Sequence, residues 1–212
     1  MNYQGMETEL KKRIAFPYIW GTRQNDASDH RTRFIYSIQT WQELQSRIDE
    51  LFKKETAYNF WFNYTINRWY NFWSAKAIEN IFCSHAQIQK HCDPFDKEID
   101  FYIGDVPFDH KTSKFPKGFN QSLDYAQQHS LELAYWFYHN QSQQGRRHLK
   151  NRLFVVLYNQ ADKGAHWKLK AELLWLKTII EQYLETYDQK NLLKLSFNNK
   201  QTYSDIIWAI KK

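Results

Sequence analysis

The sequence predicts an α/β protein with a mixed β-sheet flanked by helices. Three observations predict it. Segments with apolar residues at helical spacing alternate with short runs of strand length. One of those runs, residues 152–159, is apolar almost throughout, which suits a strand buried on both faces. Glycine (6) and proline (4) are scarce in 212 residues, which favours long regular elements over tight loops.

Taken in order, residues 1–36 are the least legible. Lys11, Lys12, Arg13, Arg31 and Arg33 sit among Phe16, Tyr18 and Trp20, which reads as a packed N-terminal lobe; the functional alternative is a basic arm on a nucleic-acid backbone. Phe34-Ile35-Tyr36 has the composition of a short strand. Thr40 and Glu43 form a capping box ahead of Trp41, Leu44, Ile48, Leu51 and Phe52, so a helix spans about residues 41–55. Residues 59–85 are dense in aromatics, with helical spacing from about Thr65 through Trp69, Phe72, Trp73, Ala77 and Ile81. Most of these rings belong to a core, although stacked bases use the same side chains. Cys83, His85, His91 and Cys92 are zinc-ligand types, but the spacing C-x-H-x5-H-C fits none of the usual zinc patterns, and they read as loop residues and a buried thiol. Asp93-Pro94 and Asp96-Lys97 make a turn into the central stretch, residues 97–115.

That stretch is a hairpin. Gly104-Asp105 suits a two-residue turn, which sets Ile103 opposite Val106, Phe101 opposite Phe108 and Asp100 opposite Asp109. Ile99, Phe101, Ile103, Val106 and Phe108 share a core face; Asp109 and Lys111 share the other, with Asp100. Two carboxylates about 5 Å apart at Cβ repel, and a shared cation is the usual reason a fold keeps such a pair. Hard oxygen ligands suit Mg²⁺. An adjacent ammonium orients or deprotonates a water, or steadies phosphate charge.

After the hairpin, Pro116 and Gly118 end the strand, and Lys114 and Lys117 are placed to meet a backbone phosphate. A helix over about residues 121–138, bent near 128–130, puts Gln121 and Tyr125 on one face. Arg146 and Arg147 head a polar loop through Lys150 that suits phosphate contacts or a solvated turn. The apolar strand 152–159 follows, then a helix over about 166–187, an alternating strand at 192–197, a turn at Asn198-Asn199-Lys200 and a final strand near 204–210.

Asp100 followed by Asp109-His110-Lys111 on the next strand resembles the motif of the PD-(D/E)xK nuclease superfamily, with Ile99 in place of the proline. Gln121 and Tyr125 match in type, spacing and order the Q-x-x-x-Y helix of its exonuclease-like branch. The resemblance covers about residues 65–159, less than half of the chain, with residues 1–60 and 160–212 as N- and C-terminal elaborations of a single domain. It implies a restriction endonuclease-like fold and a metal-dependent deoxyribonuclease, of restriction or repair type. It implies that Asp100 and Asp109 bind Mg²⁺, or Mn²⁺ in its place, with the backbone carbonyl of His110. It further implies that Glu79, on the helix before the hairpin, completes the set, and that Lys111 acts on the attacking water. Gln121 and Tyr125 would contact DNA near the scissile phosphate. Cutting both strands would need two active sites, which a homodimer supplies.

The formal charge of +6 and a pI of about 9.1 fit a phosphate-bearing partner without demanding one. No run reaches membrane-span length, the N-terminus lacks the apolar stretch of a signal peptide, and two cysteines without an export signal read as reduced thiols. The expectation is a soluble cytoplasmic protein. Two other function classes fit the same composition: a non-catalytic nucleic-acid-binding module and a protein-interaction domain with aromatic docking patches.

Overall fold

The computed structural model describes residues 1–93, 96, 98–140, 149–197 and 200–212. They form two compact units, Met1–Asn80 with Lys170–Trp175, and Ile81–Leu169 with Leu176–Lys212. Among them no helix is long and apolar enough to cross a membrane.

The first unit is helical: α1 (Tyr3–Arg13), α2 (Asp26–Arg31), α3 (Trp41–Phe52) and most of α4 (Tyr58–Cys83). The Thr40 hydroxyl accepts from the Glu43 N–H at 3.4 Å, so the expected cap opens α3. Helix α4 starts seven residues earlier than the spacing predicts. Its first turn is anchored on α3: Tyr58 donates to Asp49 at 2.5 Å, and Trp61 stacks on Phe52 with centroids 5.0 Å apart. Residues Arg33–Tyr36 form a 3₁₀ turn, not the expected strand. The carbonyls of Ile35 and Ile38 are taken by the indole N–H groups of Trp73 and Trp69, at 2.9 and 2.7 Å, and Arg68 holds Tyr36 and the Asp29 carbonyl. Side chains of α4 therefore satisfy this segment, and a sheet partner does not.

The second unit is built on a six-stranded mixed sheet flanked by helices. Its elements are β1 (Ile88–Lys90), β2 (Phe101–Ile103), β3 (Val106–Lys114), α5 (Leu123–Gln128), α6 (Ser130–Asn140), β4 (Arg152–Asn159), α7 (Leu173–Glu185, from Leu176), β5 (Leu193–Phe197) and β6 (Lys200–Lys211). The strand order is β1-β2-β3-β4-β6-β5. Pairs β3–β4 and β4–β6 are parallel; β1–β2, β2–β3 and β5–β6 are antiparallel. Strand β4 lies between two parallel neighbours and is buried from Arg152 through Tyr158, as its apolar run requires.

The hairpin register is the expected one from the turn as far as the aromatic pair: Ile103 pairs with Val106 and Phe101 with Phe108, and the pairing stops short of Asp100 and Asp109. Gly104 has φ +58° with nothing within 4 Å of where a Cβ would stand, so its freedom serves the turn alone. Alternation then sorts the faces. Phe154, Val156, Tyr158 and Ile206 pack under α5 and α6 against Leu133, Ala134, Phe137 and Tyr138. On the opposite face, Phe101 stacks on Phe82 (4.8 Å) and Phe108 meets Tyr187 edge-on. The expected bend between the helices falls at His129, whose N–H and ring both engage the Tyr125 carbonyl. The helix expected from residue 166 begins as a 3₁₀ segment, His166–Ala171, because the His166 ring accepts the Asn159 N–H at 2.8 Å and turns the chain. Strand β1 lies where the sequence reads as loop.

Candidate active site

The hairpin positions two carboxylates, each with its own donors. Asp109 pairs in register with Arg152 at the start of β4 and is 3% exposed. Its Oδ2 accepts from Arg152 Nε at 2.7 Å and its Oδ1 from Lys111 Nζ at 2.9 Å. Arg152 is itself 4% exposed, with its guanidinium over the Tyr138 ring. A carboxylate at this depth is tolerated only because both oxygens meet a cation.

Asp100 stands one residue before β2, and its N–H donates to the carbonyl of Phe108, the partner of Phe101, so Asp100 is out of step with the expected pairing opposite Asp109. Its carboxylate does not stay on the Asp109 face as strand alternation predicts. It turns to His110: Oδ2 accepts the backbone N–H at 2.8 Å and pairs with ring Nδ1 at 2.7 Å. Asp100 lies outside the regular strand, so its side chain is free to follow these donors. Burial pushes its carboxyl up, but the imidazole, the backbone N–H and the Lys111 charge overcome that and bring it down to about 2. Lys111 thus links the two acids, bonded to one and acting through its charge on the other. Its side chain is 49% exposed and forms the solvent edge of the site.

Asn151 holds the site from below. Its carbonyl accepts the Asp109 N–H, its Nδ2 donates to the Pro107 carbonyl, and its Oδ1 accepts the Tyr203 N–H, so one residue ties β3 to β6 at the entry to β4. Lys150 is pinned beside it by the Tyr138 hydroxyl on its carbonyl, at 2.5 Å. Burial lowers the Lys150 ammonium, the charge of Asp109 opposes this, and Arg152 and Lys111 reinforce it. Arg152 and the His110 ring are the site groups that the sequence reading missed, while Lys150 was read only as part of a phosphate-contacting loop or solvated turn. The available signal was Arg152, a charge at the head of a strand otherwise apolar through Tyr158, which calls for a buried partner.

Glu79 belongs to the first unit, where Lys76 holds both its oxygens at 2.9 and 3.0 Å. Gln121 is exposed and precedes the N-cap of α5, because Ser122 caps the Tyr125 N–H; Gln121 and Tyr125 therefore do not share a helical face. The Tyr125 hydroxyl donates to Glu132, and its ring stacks on His129 at 4.0 Å. Lys114 sits five residues beyond Asp109 on the opposite face of β3, about 16 Å along the strand. With Lys117 it acts on buried His166, whose ring is lowered by burial and then by these charges. Arg146 and Arg147 lie outside the described residues, as do parts of the two expected turns near Pro94 and Asn198. Cys83 and Cys92 are not joined in a disulfide, and His91 bonds Tyr102 and Asp96. Among the described residues, no three His, Cys, Asp or Glu side chains are grouped to hold a metal.

The site still fits a hard cation by the chemistry of its donors. Each Asp109 carboxylate oxygen carries a second lone pair beyond the hydrogen bond it accepts. The N–H and C=O of a strand residue leave on the same side, so the His110 carbonyl points the way its N–H does, toward Asp100. Comparisons of the chain with protein-family models, with curated proteins and with solved structures found no match.

Proposed function

We propose that this protein is a metal-dependent deoxyribonuclease with a restriction endonuclease-like core. The observation that supports the reading is the pair of hydrogen bonds from His110 to the Asp100 carboxylate, next to an Asp109 bonded to Lys111, whose ammonium lies at the solvent edge. The element order supports it as well: helix α4, the β2–β3 hairpin, helices α5 and α6, then a strand parallel to β3.

Asp100, Asp109 and the His110 carbonyl would hold Mg²⁺ or Mn²⁺. When bound, the ion would lower the pKa of a water and offset charge on the phosphoryl oxygens. Lys111 would orient that water or donate to a phosphate oxygen, its chain tethered by Asp109. Arg152 would hold the Asp109 carboxylate in place beneath it. DNA is the proposed substrate, and a homodimer would supply a second site for duplex cutting.

A second reading, a nucleic-acid-binding module without turnover, draws on the same Asp109. Two cations already satisfy its oxygens, as a structural ion pair would be. Incubating purified protein with plasmid, single-stranded DNA and RNA, with and without Mg²⁺ or Mn²⁺, separates the two. Lys111→Ala is expected to abolish metal-dependent cleavage, by about 100-fold or more, while leaving the melting temperature nearly unchanged. A variant that cuts like the parent overturns the nuclease reading.

A further inference from the structure

The sequence motif assigns the middle residue of Asp109-His110-Lys111 only a backbone carbonyl. Its side chain projects to the opposite face of β3, where it is 7% exposed. There the ring lies against Phe82 and Phe101, with centroids 5.8 and 6.3 Å away. This packing fixes the plane of the imidazole. An ionised carboxylate only accepts, so ring Nδ1 carries the proton and donates to Asp100 Oδ2 at 2.7 Å. The backbone N–H of the same residue donates to the same oxygen at 2.8 Å. One residue therefore grips Asp100 twice. Among the described residues Oδ1 accepts no hydrogen bond, so its lone pairs are the ones left for a cation.

We infer that the His110 imidazole is a positioning residue: it locks the Asp100 carboxylate so that one oxygen is committed and the other is presented to the divalent ion. The inference rests on the metal-dependent reading above. A ligating carboxylate whose second oxygen is held by a rigid donor loses less freedom on binding, and removing such a supporting bond typically weakens metal affinity about 10- to 100-fold.

Mn²⁺ binding to the purified chain, measured by calorimetry without DNA, tests it. His110→Phe keeps the packing on Phe82 and Phe101 and deletes the donor; its affinity should fall about tenfold. His110→Asn restores an N–H near the place of Nδ1 and should recover most of that loss. A merely structural ring predicts equal affinity in all three proteins, and that result overturns the inference. Should the Phe variant not fold, the parent protein carries the test: the His110 Nδ1 proton resonance should shift as Mg²⁺ saturates, and a resonance that stays fixed while Mg²⁺ binds counts equally against it. If the parent binds neither ion, the metal-dependent reading itself fails, an outcome distinct from normal binding that is indifferent to His110.

Discussion

Two half-buried aspartates of the same sheet show what charge adds to burial. Asp100 accepts two hydrogen bonds, from the N–H and the ring of His110. Asp205, on β6, also accepts two, from the Ile206 N–H at 2.8 Å and the Tyr183 hydroxyl at 3.0 Å. Burial is the largest influence on both and raises both. Yet Asp100 falls to about 2, whereas Asp205 stays raised above its ordinary value. The donors are equal in number, but only Asp100 has an imidazole and the Lys111 ammonium acting on it. Asp205 looks onto Tyr183 and Tyr187, whose own hydroxyls burial pushes up. A sheet that keeps cations around one pair of acids and denies them to another acid has concentrated its charge at the hairpin, where the proposed chemistry needs it.

The largest effect should come from breaking the charged side of this contrast at its deepest point. Asp109→Ala leaves Arg152 buried with its partner gone, and an orphaned buried charge costs about 3–5 kcal/mol. Urea denaturation should show that loss. Adding Arg152→Met removes the stranded guanidinium and should return most of it, since replacing both members of a buried pair by apolar groups is often close to neutral. If Asp109→Ala costs under about 1 kcal/mol, the pair is wet and loosely held, as surface pairs are.

A smaller effect follows from the depressed carboxyl of Asp100. Its folded value of about 2 lies below the ordinary 3.8, so the ionised form favours the folded state. That contribution is fully present above the unfolded value, near pH 4, and disappears as pH falls through about 2. Its size is about 2 kcal/mol at neutral pH. Asp100→Asn should therefore be less stable than the parent by that amount at pH 7, with the gap closing toward pH 2. A gap that does not change with pH would place the loss in packing.

How much of this was legible beforehand divides along the same line. The hairpin register as far as Phe101 and Phe108 followed from Gly104-Asp105 and the alternation around it, and β4 from an apolar run too short for a helix, because both signals are local. The cap at Thr40 and the bend at His129 were local as well. What the sequence did not disclose were contacts between residues far apart in the chain. Arg152 reaches Asp109 across 43 positions, and Trp73 takes the Ile35 carbonyl across 38, turning an expected strand into a 3₁₀ turn. Gln121 misled for a different reason: its spacing to Tyr125 was helical, but Ser122, a better N-cap than either neighbour, starts α5 at Leu123, two residues too late to include it.

The smallest expected effect lies on the uncharged side of the contrast, and its sign is opposite. Asp205 titrates above 3.8 in the folded chain, so its ionised form disfavours folding at neutral pH. Asp205→Asn removes the charge, and its carbonyl can still accept the Ile206 N–H. The variant should equal or exceed the parent in stability at pH 7, by no more than about 1 kcal/mol, the worth of one ordinary hydrogen bond. Its advantage should shrink as pH falls through the raised value and vanish below it, where the parent is neutral too. Stability measured from pH 7 down to 3 gives two difference curves, one for each aspartate, that must lie on opposite sides of zero. If Asp205→Asn instead falls well below the parent at pH 7, the Tyr183 hydroxyl is holding a carboxylate that the fold wants ionised, and the contrast between charged and uncharged surroundings does not explain the two acids.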